Sequence, residues 1–256
     1  MSEEIILEAV GVTKRFGGLT AVDEVSFSIK PRTIKALIGP NGAGKSTMLN
    51  MLSGVYRPTS GTIRMKGKRI DNRKPYQIAA LGVGRTFQTV HLFGNMTVVE
   101  NVMVGLHMKS RGGILNSALR LPPVPRDEKI VFERAMGLLA KVGLESRALE
   151  IATNLPYGQQ RMLETARAMA SEPALLLLDE PAAGLSSKEA EEFATLIQMI
   201  KESGVAVLVV DHDMRLIMDI SDEVVVLDQG KKIAEGTPLE VQNDKAVVLA
   251  YLGEEL

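Results

Sequence analysis

Gly39-Pro-Asn-Gly-Ala-Gly-Lys-Ser-Thr47 is the stretch from which the rest of the chain can be read. Glycine, four residues, then Gly-Lys-Ser is the spacing of a phosphate-binding loop. Ile34-Lys-Ala-Leu-Ile38 before it reads as a buried strand, and Ser46 to Leu52 after it as the start of a helix. The glycines therefore fall where a strand hands over to a helix. Gly39, Gly42 and Gly44 can take backbone angles closed to other residues, letting main-chain N–H groups curl around an anion. The helix N-terminus adds unpaired donors and a partial positive charge. Lys45 can reach the outer phosphates of a nucleotide, and the Ser46 hydroxyl can bind Mg²⁺.

The chain has 256 residues, 45% hydrophobic and 24% charged, which suits a soluble globular protein. A net charge of -1 gives no general case for nucleic-acid binding. The absence of cysteine rules out disulfides and thiolate metal sites. The acidic start Met-Ser-Glu-Glu has no signal-peptide pattern. Aliphatic runs such as Ala174 to Leu178 and Val205 to Val210 are core-strand length, far short of the roughly 20 residues that span a membrane. Service to a membrane would come from its cytoplasmic side, through a partner.

Ile5 to Val10, Val25 to Ile29 and Gly61 to Met65 read as further strands. Residues from about Thr97 to Lys141 have helical periodicity, broken by a loose stretch from Lys109 to Asp127 with Pro122, Pro123 and Pro125. Helices are expected over Gly158 to Ala170 and Lys188 to Glu202, and strands over Leu175 to Asp179, Val205 to Asp211 and Val224 to Asp228. This alternation predicts an α/β fold: a mostly parallel sheet with helices on both faces. One domain over 1–256 is expected, with an antiparallel N-terminal part, a helical subdomain inserted at about 89–170 and a tail from about 240.

Leu175-Leu-Leu-Leu178 followed by Asp179-Glu180 places two carboxylates at the end of a buried strand. Asp179 can hold Mg²⁺ directly or through water. Glu180, one residue on, is the candidate general base for an attacking water.

A third stretch is more specific. Leu155-Pro-Tyr-Gly-Gln159 precedes a helix that leads through Glu172-Pro173 into the acidic strand. Here the chain resembles, over nearly its whole length, the ATP-binding subunits of ABC transporters. Leu155 to Gln159 stands where that family carries its signature, usually Leu-Ser-Gly-Gly-Gln. Gln88 in Gly84-Arg-Thr-Phe-Gln88 stands at the Q-loop, and His212 in Val210-Asp-His-Asp213 at the switch histidine. Ala183-Gly-Leu-Ser186 stands at the D-loop, and Phe16 at the aromatic position that stacks on adenine.

The resemblance implies an ATPase working with a second ATP-binding subunit, a paralogue or a second copy, in a head-to-tail dimer. ATP would lie on Gly39, Pro40, Asn41, Gly42, Ala43, Gly44, Lys45, Ser46 and Thr47, with Phe16 against the base. Leu155, Gly158 and Gln159 of the other chain would cap it. Ser46, Gln88 and Asp179 would serve Mg²⁺. Glu180 would polarise water, Lys45 neutralise phosphate charge, His212 contact the γ-phosphate, and Gln88 report occupancy to a membrane subunit. Partners implied are two membrane-spanning permease subunits and an extracytoplasmic substrate-binding protein, with no nucleic acid. The place implied is the cytoplasmic face of the membrane. Val98 and Met103 are candidates for an exposed cluster that receives a permease helix, while Met96, Met103 and Met108 also read as packing. Phe16 alone also reads as core, and His91 and His107 as surface or loop residues.

Gly84-Arg-Thr-Phe-Gln88, Asn95-Met-Thr-Val-Val-Glu-Asn101, Tyr157-Gly-Gln-Gln160, Glu180-Pro-Ala-Ala-Gly-Leu185, His212-Asp-Met214 and Ala250-Tyr-Leu-Gly253 look closest to the longer ATPase of branched-chain amino-acid importers. Branched-chain or other hydrophobic amino acids are the implied cargo. Three residues depart from the family pattern. Pro156 replaces the signature serine, and proline suits a first helical turn. Ser186 replaces the D-loop aspartate and can still hydrogen-bond across a dimer interface. Phe16 lacks a tyrosine hydroxyl, which stacking does not need. Other readings are a soluble ABC-type ATPase acting on DNA or ribosomes, the ATPase of a lipid exporter, or a kinase or GTPase. The first usually carries two ATP domains or a coiled-coil insertion, and neither is present. A GTPase needs an Asn-Lys-x-Asp guanine reader, also absent.

Overall fold

The computed structural model describes residues 4–107, 125–211 and 214–252. Two β-layers share a core. The first sheet is antiparallel, in the order β2-β1-β4-β5, from β1 (Leu7–Phe16), β2 (Leu19–Ile29), β4 (Ser60–Met65) and β5 (Lys68–Arg69). The second has the order β10-β9-β3-β8-β7-β6. It contains β3 (Ile34–Ile38), β6 (Val83–Arg85), β7 (Leu175–Asp179), β8 (Ala206–Val210), β9 (Glu223–Asp228) and β10 (Lys231–Gly236). Its strands pair in parallel except β9 with β10.

β3, β7 and β8 are buried along their whole length. That is why they read as unbroken aliphatic runs rather than alternating ones. Each such side chain taken from water contributes roughly 1.5–3 kcal/mol. Two ionisable residues interrupt the aliphatic runs: Asp179 at the end of β7, and Lys35, a charge inside β3 at 1% exposure. Its ammonium meets Glu223 at 2.8 Å and Glu235 at 2.7 Å, so the buried charge is paired twice.

Helices cover one face of the parallel sheet. Phe193, Leu196, Ile197 and Ile200 of α6 (Ser187–Glu202) pack there beside α7 (Met214–Ile220), α8 (Pro238–Gln242) and α9 (Lys245–Leu252). The other face also carries helices, as expected, and a second sheet besides. It packs on the antiparallel sheet as well as on α1 (Lys45–Leu52) and α2 (Pro75–Ala80). The cause is the alternation in β1 and β2, which gives that sheet an apolar inner face of its own.

Between β6 and β7 lie α3 (Val98–His107), α4 (Pro125–Lys141) and α5 (Tyr157–Ala170). They enclose a separate cluster that includes Val98, Val102, Leu139, Leu155 and Leu163. α4 is described from Pro125 on, so its first described turn falls inside the stretch expected to be loose. The rest of that stretch, up to Val124, lies outside the described residues, as does Met108. No described helix is long and apolar enough to cross a membrane.

Candidate functional site

Parallel pairing lines up the carboxyl ends of β3, β8, β7 and β6 along one edge of the sheet. Gly39, Asp211, Asp179-Glu180 and Gln88 all follow those ends. Open α/β sheets bind ligands at that edge. His212 follows β8 in sequence but lies outside the described residues.

The glycine loop has the conformation its residues foretell. Gly39 has φ +146°, and a Cβ there would sit 1.9 Å from the Leu227 carbonyl oxygen. Gly44, the N-cap of α1, has φ +101°, and a Cβ there would sit 2.4 Å from the Ala21 oxygen. Neither position accepts a side chain. Around Gly42 the space is open, and Asn41, Gly42 and Ser46 are exposed on the loop's outer side. Ala43 is buried and its amide donates to Pro40 O at 3.2 Å, closing the turn. α1 has no side-chain cap and no acid in its first turn, so its N-terminal amides suit an anion. Lys45 Nζ donates to Gly39 O at 2.5 Å and Pro40 O at 2.8 Å, within the loop itself.

Asp179 is buried at the end of β7, and burial pushes its carboxyl up from the usual range. Arg85 opposes that shift: its Nη2 donates to Asp179 Oδ2 at 3.1 Å. Arg85 is itself held by Asn50 Oδ1 at 2.8 Å and Ser53 Oγ at 2.5 Å. The motif reading missed Arg85, though it stands three residues before Gln88. Glu180 has φ +46°, and its amide donates to Val210 O at 2.7 Å, which turns its side chain out of the strand line. Gln88 Nε2 donates to Glu180 Oε2 at 2.8 Å.

The donor set fits ATP with Mg²⁺: a positive-φ cradle, an uncapped helix start, a lysine, a serine and a carboxylate. No group of three or more acidic or histidine side chains forms a cation cage among the described residues. Mg²⁺ characteristically takes few protein carboxylates together with substrate phosphates.

Phe16 is 42% exposed rather than core. It meets Tyr56 edge to face at 5.3 Å between centroids, with Lys14 Nζ 4.9 Å from its centroid. Tyr56 drew no attention in the sequence because an isolated tyrosine after a helix has no spacing signal.

In the signature region Leu155 is buried, and Gln159 Oε1 accepts from Arg147 Nη1 at 3.0 Å. Pro156 is the N-cap of α5, one position before the first helical turn, and supplies no side-chain cap. Gly158 is buried, and a Cβ on it would lie 2.4 Å from Glu189 Oε1. Ser186 does not present a spare hydroxyl. It caps α6, donating to Glu189 Oε2 at 2.7 Å and accepting from the Glu189 amide at 3.4 Å. Ser186 and Glu189 thus form a capping box at the start of α6.

An apolar groove of about 540 Å³ opens beside the Q-loop, lined among others by Val55, Tyr76, Phe87, Leu92, Phe93 and Val104. Val98 is not part of it: Val98 is fully buried, and Met103 packs against the same helical cluster. α3 turns those two positions inward and Val104 toward the groove. His91 is exposed, and its ring meets Phe87 at 5.6 Å.

Residues 22–183 match the family described as ABC transporter, and residues 231–256 match the family described as branched-chain amino acid ATP-binding cassette transporter. The high-affinity branched-chain amino acid transport ATP-binding protein LivG of Salmonella typhimurium is 45% identical over 250 residues, 97% of this chain and 98% of that one. The corresponding protein BraF of Pseudomonas aeruginosa is also 45% identical over 250 residues, with the same coverage. A crystal structure of an ABC transporter's ATP-binding cassette in its ADP conformation superposes with a TM-score of 0.85 at 31% identity, covering 97% of this chain and 99% of that one. The mixed sheet, the nucleotide-type loop and the full-length likeness agree: this chain belongs to the ABC transporter family of ATP-binding cassettes.

Proposed function

We propose that the chain is the ATP-hydrolysing subunit of a membrane importer for branched-chain or other hydrophobic amino acids. The observation that carries this reading is the 45% identity to LivG and BraF over almost the full length. It works as a head-to-tail dimer with a second ATP-binding subunit, on the cytoplasmic face of the membrane beneath two permease subunits. An extracytoplasmic binding protein delivers the cargo.

Catalysis is positioning plus electrostatics. The loop Gly39 to Thr47 holds the phosphates, and Phe16 takes the adenine. Lys45 exchanges its bonds with Gly39 O and Pro40 O for phosphate oxygens, so it moves from one acceptor set to another. Mg²⁺, when bound, neutralises phosphate charge, and Ser46, Asp179 and Gln88 are the residues that would hold it. Glu180 accepts the proton of the attacking water after Gln88 releases it. His212 contacts the γ-phosphate. Across the dimer, Leu155, Gly158 and Gln159 bring the N-terminus of α5 to the same phosphate. The apolar groove beside Gln88 takes a short permease helix, whose seating is felt at the Q-loop.

Mild-detergent purification from native membranes tests the assignment. Two different multi-span proteins and a second ATPase are expected with the chain, and amino-acid uptake should depend on it. Recovery alone, or with ribosomes or DNA, would remove the transport role and leave the ATPase chemistry.

A further inference from the structure

We propose that Arg161 is a positioning residue that ties the signature helix to the catalytic pair Gln88–Glu180 of the same chain. Arg161 stands in α5 one turn after Tyr157 and is 2% exposed. Its Nη1 donates to Phe87 O at 2.6 Å and its Nη2 to Gln88 O. Two further side chains of α5 extend the grip. Glu164 Oε1 accepts from the His91 amide at 3.2 Å, and Arg167 Nη2 donates to His91 O. The Q-loop backbone is thus held by α5 at 87, 88 and 91, while the Gln88 side chain reaches Glu180 at 2.8 Å.

The chemistry suits transmission of position. A guanidinium is a rigid planar fork, so two carbonyls on one fork move as a unit with the helix that carries it. Charge-assisted bonds out of water are strong and well defined. The Cζ of Arg161 also lies 5.5 Å from the Tyr157 ring, at the N-terminal end of α5. A small displacement of that end is therefore delivered to Gln88, and through Gln88 to Glu180.

The consequence rests on the dimeric ATPase reading above. In a head-to-tail dimer the signature of one chain caps the ATP held by the other. The grip then carries the state of the partner's nucleotide to this chain's own base. Arg161 supplies neither proton nor phosphate contact. It sets where Gln88 stands.

The test uses the full-length chain, its Arg161→Lys and Arg161→Met variants, and three readouts. Without nucleotide, amide hydrogen exchange at residues 87–91 should quicken about tenfold in Arg161→Met, while β7 and β8 keep parent protection. ATP binding in EDTA, which needs the glycine loop, should stay within about twofold. The kcat should fall about tenfold or more, since small misplacements of a catalytic group are costly, and any steepness in the dependence of rate on ATP should flatten. Arg161→Lys keeps the buried charge but not the fork, so it should fold and fall between the two; it decides the matter should the methionine variant not fold. Parent-like exchange at 87–91, or parent-like kcat and ATP dependence in a folded variant, overturns the proposal. A parent chain without ATP turnover both alone and in its complex with the second ATP-binding subunit overturns instead the function beneath it, and is distinguished because the parent itself is inert.

Discussion

Gln88 Nε2 donates to Glu180 Oε2 across 2.8 Å, joining residues from the ends of β6 and β7. The candidate base therefore has a side-chain partner, and that partner must let go before Glu180 can take a proton from water. The same loop is gripped from α5 and borders the apolar groove. Base, groove and signature helix meet within one short segment.

Glu180→Gln removes the base while keeping size and hydrogen-bonding ability. Loss of a positioned general base lowers the rate about 10²-fold or more. ATP binding should be unchanged, because the glycine loop and Lys45 are untouched. The variant should accumulate as an ATP-bound dimer in light scattering. Turnover equal to the parent would show that another group takes the proton.

Tyr76→Glu addresses the groove. Tyr76 is 64% exposed on α2, so a charge there leaves the core alone. An acid in an apolar seat costs the incoming permease helix its desolvation and weakens docking. Co-purification of multi-span partners should drop severalfold while the isolated chain keeps its melting temperature. Undiminished recovery of those partners would place the dock elsewhere.

The parallel strands and the phosphate loop were legible in the sequence because burial on both faces writes continuous aliphatic runs, and a glycine-rich strand-to-helix turn has few other uses. Leu175–Asp179 is observed with the bounds expected. Short elements were not legible. Val83–Arg85 joins the sheet through β7, far away in the chain, and tertiary pairing leaves little local trace, while Lys231–Gly236 pairs with the adjacent β9 but has no buried residue to write an aliphatic run. Val98 looked surface-like because an apolar helix does not say which of its faces meets the core. At the site, residue types defined by covalent spacing were readable. The bonds of Arg85 and Arg161 were not, since each joins segments that only the fold brings together.

Ser186 and Glu189 form a reciprocal cap at the start of α6, where an interface hydroxyl was expected. Ser186→Ala should lower the melting temperature by about 3 °C, the usual effect of losing an N-cap in a chain of this size. Ser186→Asp, also a good cap, should recover it. The Ser186 hydroxyl, then its amide, hold the Glu189 carboxyl below its usual value. A lowered folded value gives stability that is present above the ordinary glutamate range and lost as pH falls through the folded value. The gap between parent and Ser186→Ala should therefore close in acid. A gap constant from neutral to acid pH would mean the cap does not depend on the carboxylate.

Pro156→Ser separates stability from dimerisation. Pro156 caps α5 with φ −54° and ψ 153° but offers no side-chain acceptor. A serine there can accept an amide of the first turn, worth about 1 kcal/mol. Losing proline frees the unfolded chain by roughly 0.4–1 kcal/mol. These nearly cancel, so the melting temperature should hardly move. The hydroxyl can accept from the helix and still donate to a phosphate across the dimer. A hydrogen bond to a charged group contributes roughly 1.5–3 kcal/mol, about tenfold or more in the dimer's dissociation constant for each site that gains one. In the Glu180→Gln background, ATP-driven dimerisation should tighten by at least that factor at unchanged melting temperature. A tighter dimer with a raised melting temperature would point to the helix rather than the phosphate, and no tightening at all would mean that the signature of this chain does not bring residue 156 to the partner's nucleotide.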